Sequence, residues 1–126
     1  MKREFSKPFI VITGAAGMIG SGVVRHLNDL GHDNLLLVDD LGEGEQWKNL
    51  LGKRFIDVVS RHKIFDYLLG REDEIEALIH LGACSDTTET NADYLLENNF
   101  RFSTRLARLA LSANKRFIYA SSASTY

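Results

Sequence analysis

Gly14, Gly17 and Gly20 follow the run Phe9 to Thr13 and open a segment with helical periodicity. Glycines at this spacing present backbone N–H groups instead of side chains, and the chemistry they offer is the binding of a diphosphate anion. Gly14 allows the positive φ of a sharp strand-to-helix turn. A Cβ at Gly17 would stand between a pyrophosphate and the helix-start amides, and Gly20 lets the helix lie close on the strand. The first helical amides, around Met18 and Ile19, lack intrahelical partners and sit at the positive end of the helix dipole.

About 20 residues beyond Gly20, Asp39 stands where a carboxylate accepts hydrogen bonds from an adenosine ribose, although an aspartate here also suits a loop cap. Asp40 beside it would repel a 2′-phosphate, whereas Lys48, or Arg61 if folding brings it near, would neutralise one. Both NAD and NADP therefore stay open.

Further along, Ser121 and Ser122 suit either the capping of loop amides or a hydrogen bond to a reacting oxygen. Cys84 has no flanking base or metal-ligand spacing and reads as a small packed residue. His80, inside an apolar run, reads as a hydrogen-bonded core histidine. His26, His32 and His62 have no paired ligand spacing, so no metal is expected. Trp47 suits either stacking on a ligand or anchoring its own loop.

The elements that must position these residues alternate in period. The glycine turn leads into a helix with Ile19, Val23, Leu27 and Leu30 as its apolar stripe and Gly31 as a C-cap. Residues 35–38 form a continuous apolar run suited to a parallel strand buried on both faces. A loop through Gly42 and Gly44 reaches a short helix or turn at Trp47, Leu50 and Leu51. A third strand is predicted over 55–59, then a short helix carrying Ile64, Phe65, Leu68 and Leu69. A fourth strand over 77–81 and a long helix over 92–111, with Leu95, Leu96, Phe100, Leu106, Leu109 and Ala110 as apolar positions, precede a fifth strand over 116–120. This is an α/β pattern, a Rossmann-type doubly wound parallel sheet with expected strand order 3-2-1-4-5.

Composition excludes several functions. The 126 residues accommodate one domain, 1–126, and are too few for a cofactor domain plus a complete substrate domain. A net charge of −2 with scattered basic residues gives no basis for a nucleic-acid or anionic-membrane partner. Lys53, Arg54, Arg61, His62 and Lys63 read as a solvated surface. Lys2, Arg3 and Lys7 imitate a secretion signal, but Glu4 and Pro8 break the approach and a strand explains the apolar residues better. With one cysteine and no apolar segment near the roughly 20 residues of a membrane span, a soluble cytoplasmic protein is expected.

Residues 13–21, the segment 80–89 (His-Leu-Gly-Ala-Cys-Ser-Asp-Thr-Thr-Glu), Asn98 to Phe100 and the segment 119–126 (Tyr-Ala-Ser-Ser-Ala-Ser-Thr-Tyr) together resemble the extended short-chain dehydrogenase/reductases of the nucleotide-sugar epimerase kind. Within them the segments resemble the ADP-L-glycero-D-manno-heptose 6-epimerase branch, as does the loop 39–50. The resemblance implies an isomerase using NADP or NAD to oxidise and re-reduce C6 of an ADP-heptose for the lipopolysaccharide inner core, with an ADP-sugar partner and a homo-oligomer when complete. It implies that Gly14, Gly17, Met18, Ile19 and Gly20 hold the pyrophosphate and that Asp39 and Asp40, with Lys48, surround the adenosine ribose. Asp57 and Val58 would match the adenine-contacting pair after the third strand. Leu81, Gly82, Ala83, Cys84 and Ser85 would pass along the cofactor, Asn98 would lie near the nicotinamide, and Ser122 would hydrogen-bond the reacting oxygen.

The family's Tyr-x-x-x-Lys pair does not occur in these residues, and Tyr126 matches a different, strand-end tyrosine. The expectation is therefore an incomplete cofactor domain without its substrate domain, inactive alone, with the fifth strand as an open edge prone to self-association. Another nucleotide-sugar epimerase or dehydratase, or a noncatalytic dinucleotide-binding module, is the alternative.

Overall fold

The computed structural model describes residues 8–40, 44–82 and 92–121. Five strands, β1 (Phe9–Thr13), β2 (Leu35–Val38), β3 (Asp57–Val59), β4 (Ile75–Gly82) and β5 (Arg116–Ser121), alternate with three α-helices, α1 (Met18–Asp29), α2 (Ile64–Leu68) and α3 (Ala92–Ser112). The 3-10 turns Gln46–Leu50 and Glu72–Glu74 lead towards β3 and β4. All pairings are parallel in the order β3-β2-β1-β4-β5, as expected for a Rossmann-type sheet. The chain winds outwards from β1 to β3, crosses back to β4 beside β1, and continues outwards in the other direction. That reversal of direction is where such sheets open a crevice at the carboxyl ends of their strands.

Every residue of β1 and β2 is buried, because helices cover both faces of the sheet. Side-chain alternation divides the core in two. Phe9, Val11, Leu36, Val38 and Leu78 pack with Ile64 and Leu68 of α2 and Leu106 and Ala110 of α3. Ile10, Ile12, Leu35 and Leu37 pack on the other face with Ala15, Ala16, Val24 of α1 and Leu50. In register, Thr13 lies beside both Val38 and His80, so β1, β2 and β4 bring Gly14, Asp39 and Leu81 to one edge.

Several local expectations change. On α1 the buried positions are Gly20, Ser21, Val24 and Asn28, whereas Ile19 and Leu30 are 56% and 62% exposed. Val23 and Leu27 of the expected stripe pack half-buried against the core, but the near approach of Gly20 to the turn shifts the centre of the packed face and leaves the two ends of the stripe exposed. Leu69 is an extended C-cap, exposed, because α2 ends after five residues, and Phe100 is exposed on α3. Strand β3 is shorter than expected and begins at Asp57. Strand β4 begins two residues earlier, since Phe9 pairs with Ile75 across an irregularity between Phe9 and Ile10. Buried Asn28 ties the end of α1 to the segment before β3: its Nδ2 donates to the carbonyls of His32 (3.0 Å) and Arg54 (2.9 Å), and its Oδ1 accepts the Arg54 amide (2.8 Å). Among the described residues, no helix is long and apolar enough to cross a membrane.

Candidate functional site

The glycine turn is built by backbone bonds that side chains then reinforce. Gly14 has φ +66° and donates its N–H to the Val38 carbonyl at 2.9 Å, which fastens the turn to the end of β2. The Gly17 amide bonds back to the Gly14 carbonyl (3.2 Å), and the Gly17 carbonyl accepts the Ser21 amide (2.8 Å), so α1 starts at once. No side chain caps this helix start. The amides of its first turn are therefore available to an external acceptor. Met18 is 88% exposed, and with Ile19 it borders the opening instead of joining the core.

The second and third glycines of the turn have different reasons to be glycine. A Cβ on Gly20 would fall 2.0 Å from the Gly14 carbonyl oxygen, so the helix reaches the turn only without one. A Cβ on Gly17 would meet nothing nearer than that same oxygen at 3.5 Å, an ordinary contact. Space at Gly17 is thus left open by the chain itself, in front of the helix-start amides, as a bound diphosphate requires.

Asp39 turns inward. Its Oδ2 accepts the Ala16 amide at 2.9 Å and its Oδ1 accepts the Asp40 amide at 2.8 Å, while its own N–H donates to the Val59 carbonyl at 3.1 Å. The loop-cap reading and the acidic position at the β2 end therefore coincide in one residue. Asp40 faces outward: its Oδ1 accepts the Ser60 hydroxyl (2.9 Å) and its Oδ2 lies 3.7 Å from His62 Nε2. Lys48 is paired with Glu45 at 3.1 Å and lies 5.8 Å from the ring centre of the exposed Trp47. The Arg61 guanidinium lies 4.7 Å from the ring centre of Phe102 on α3, across the sheet from α1. Arg61 is thus turned towards α3, while Lys48 stays a solvent-exposed cation on the segment that follows β2. Asp57 begins β3 instead of following it, and its Oδ1 accepts the Val58 amide at 2.8 Å; the carboxyl end of that strand is occupied by Val59, with Ser60 next.

On the β4 side, Leu81 presents its carbonyl to Gly14, where an added Cβ would be 3.2 Å away, and Gly82 ends β4 level with Ser121 of β5. Asn98 falls within α3, where only its backbone is described. Ala83, Cys84, Ser85 and Ser122 lie outside the described residues.

Two supports of the turn were not legible as such. Asn49 Nδ2 donates to the Ala16 carbonyl at 2.8 Å, clasping the turn from the 3-10 segment; nothing in the sequence pattern marks it. The other is a buried relay. Thr13 Oγ1 accepts the Leu81 amide (3.1 Å) and meets His80 Nδ1 at 2.6 Å, while His80 Nε2 meets Ser103 Oγ at 2.6 Å. His80 is the hydrogen-bonded core histidine its strand suggested. Burial, helped by the Arg61 guanidinium, pushes its imidazole down to about 4, so at neutral pH one ring nitrogen donates and the other accepts. The relay joins β1, β4 and α3 directly below the glycine turn. Thr13, a polar residue closing an otherwise apolar strand, was its one visible sign.

Asn49→Ala should lower stability by about 1 kcal/mol and loosen the turn, because it removes one hydrogen bond to a backbone carbonyl. Chemical denaturation beside a dinucleotide titration checks it, and unchanged values in both would contradict the clasp.

An uncapped helix start, an open glycine and a carboxylate-lined strand end can hold a diphosphate joined to a ribose. Comparison with known proteins agrees with this arrangement. The model of the NAD dependent epimerase/dehydratase family matches residues 10–126. Curated relatives named ADP-L-glycero-D-manno-heptose-6-epimerase are similar to this chain: that of Nitratidesulfovibrio vulgaris is 45% identical over 118 residues, and that of Fusobacterium nucleatum 44% over 119. These alignments take in 92% and 93% of this chain. The chain spans about 36% of the length of either relative. Among solved structures, Helicobacter pylori ADP-L-glycero-D-manno-heptose-6-epimerase superimposes with a TM-score of 0.75 at 28% identity, covering 100% of this chain and 42% of that one. A UDP-glucose 4-epimerase superimposes with a TM-score of 0.62 at 29% identity, over 88% of this chain and 34% of that one. With the family match running from the first strand to the last residue and the parallel order β3-β2-β1-β4-β5 beneath it, the chain belongs to the NAD dependent epimerase/dehydratase family.

Proposed function

We propose that this chain is the coenzyme-binding part of a nucleotide-sugar epimerase that inverts C6 of the heptose in an ADP-sugar, in the cytoplasm, on the route to the lipopolysaccharide inner core. The observation that carries the coenzyme site is the open space at Gly17 in front of uncapped helix-start amides; the names of the relatives carry the sugar. The amides from Met18 to Gly20 bind and orient the diphosphate, and the exposed Met18 and Ile19 shield it from water. Asp39 keeps the turn in shape, and Asp40 faces the ribose. Leu81 and Gly82, with Ala83, Cys84 and Ser85, border the path towards the nicotinamide, and Asn98 stands on its flank. A bound nicotinamide supplies reversible hydride transfer, the chemistry that inverts a carbinol centre. Ser122 holds the reacting oxygen by a hydrogen bond. The complete protein acts on an ADP-sugar and is a homo-oligomer.

Gly17→Val tests the cradle. Gly17 has φ −72° and ψ 173°, which valine adopts without strain. Stability should change by less than about 1 kcal/mol, while affinity for either nicotinamide dinucleotide should fall at least about tenfold, since the branched side chain fills the diphosphate position. Calorimetric titration and a thermal melt read the two effects separately. Wild-type affinity in the variant would end this reading.

A further inference from the structure

We infer that Ser103 of α3 is a positioning residue for the coenzyme site: it fixes the His80 tautomer with which Thr13 holds the end of β4 against the glycine turn, an inference that rests on the coenzyme reading above. Counting donors gives the relay a direction. The Thr13 hydroxyl oxygen accepts the Leu81 amide at 3.1 Å and lies 2.6 Å from His80 Nδ1. Thr13 is buried, and among the described residues Nδ1 is the acceptor its hydroxyl proton meets. Were Nδ1 protonated instead, that hydroxyl proton would be stranded in the core. Nδ1 therefore accepts from Thr13, and the neutral ring carries its proton on Nε2, which donates to Ser103 Oγ at 2.6 Å. Ser103 is half-buried, so its own proton has solvent as an acceptor.

The ring is held in this orientation. Phe102 of α3 and Phe117 and Tyr119 of β5 stand around it, with ring centres 5.6, 6.2 and 5.2 Å away. Packing of this kind opposes a turn of the imidazole that would exchange its nitrogens. Without the Ser103 oxygen, Nε2–H loses its acceptor. Moving the ring proton to Nδ1 relieves that loss only by taking away the acceptor of the Thr13 proton. Either way the disturbance reaches Leu81, whose amide Thr13 holds and whose carbonyl oxygen would lie 3.2 Å from a Cβ on Gly14. Thr13 and His80 are in register immediately before Gly14 and Leu81, so loosening their link widens the gap between the turn and the end of β4. In the coenzyme reading the diphosphate and the path to the nicotinamide lie on the two sides of that gap.

Proton-nitrogen NMR of the histidine-labelled chain at pH 7.5, with the His80 signals identified by their loss in His80→Gln, reads the tautomer; calorimetric titration with NAD and with NADP reads the site. The wild type should show the Nε2–H form. Ser103→Ala should weaken whichever coenzyme binds at least about threefold and shift the His80 signals towards the Nδ1–H form. Ser103→Thr, which keeps the hydroxyl, should restore both, whereas a side chain that merely filled space would not distinguish alanine from threonine in the nitrogen signals. An Nδ1–H form in the wild type, or wild-type affinity in Ser103→Ala, would overturn the inference while leaving the cradle standing. Failure of both coenzymes to bind the wild type would overturn the cradle reading, and this inference with it.

Discussion

Gly20→Ala should cost about 3–5 kcal/mol of stability and abolish dinucleotide binding together. The new Cβ would lie 2.0 Å from the Gly14 carbonyl oxygen and 2.8 Å from both Ala15 Cα and the Gly14 carbonyl carbon. All three are backbone atoms, so no side-chain rotation relieves the overlap. The turn cannot move away cheaply either, because Gly14 is bonded to Val38, and Ala16 is held by Asp39 through its amide and by Asn49 through its carbonyl. The helix must lift from the sheet, opening the packing of Val24 on Ile10, Ile12 and Leu37, or the turn must break. Either outcome removes a fifth or more of the roughly 5–15 kcal/mol that holds a domain of this kind together. Urea denaturation measures the loss directly. A variant melting like the wild type would show that the helix start is not seated on the turn as described. Beside Gly17→Val, which should spare stability and lose binding, the pair separates folding from ligand chemistry.

The second large effect is acid lability set by His80. Its imidazole is held at about 4 in the folded protein, against 6.5 when exposed, chiefly by burial and further by Arg61. Between those values the unfolded chain binds the proton and the folded one does not. Stability from this group is therefore complete above pH 6.5 and is lost as pH falls towards 4. From pH 7.5 to 5.0 the loss should be about 2 kcal/mol. Protonation at Nδ1 and Nε2 together also makes both Thr13 and Ser103 acceptors, so the ring nitrogen that accepted a hydroxyl proton in the neutral form no longer does so. The relay below the glycine turn should then loosen before global unfolding. Denaturation midpoints at the two pH values, compared with His80→Gln, provide the measurement. The variant should be less stable at pH 7.5 but should lose about 2 kcal/mol less on acidification. Identical pH profiles for the two proteins would exclude His80 as the source.

Much of the fold was legible because burial on two faces leaves an unambiguous trace. The apolar runs at 9–13 and 35–38 became β1 and β2 with the expected bounds, since a strand covered by helices on both sides has no polar alternation to blur it. Outer elements were read less accurately. The run 55–59 shortened to Asp57–Val59 because those are the residues in register with β2, so Asp57 opens the strand, at the end away from the expected ligand edge. On α1, Val23 and Leu27 pack as their spacing required, whereas Ile19 and Leu30 are exposed because a backbone contact that hydrophobic periodicity does not register, Gly20 against Gly14, shifts the packed face. Leu69 and Phe100 are exposed, although their spacing matched a buried face.

What the residues determined unaided was the local chemistry: a turn only glycine can make at Gly14, an uncapped helix start after it, and a carboxylate pair at the close of β2. Tertiary structure alone decided how those groups divide the work. Asp39 is turned onto Ala16, Asp40 is clasped by Ser60, Arg61 is drawn to Phe102, and Asn49 and the Thr13–His80–Ser103 relay brace the turn. Backbone conformation and strand periodicity follow from near neighbours in the chain. Which donor meets which acceptor depends on residues 20 to 70 positions apart becoming adjacent at one end of a parallel sheet, and only the strand order brings them there.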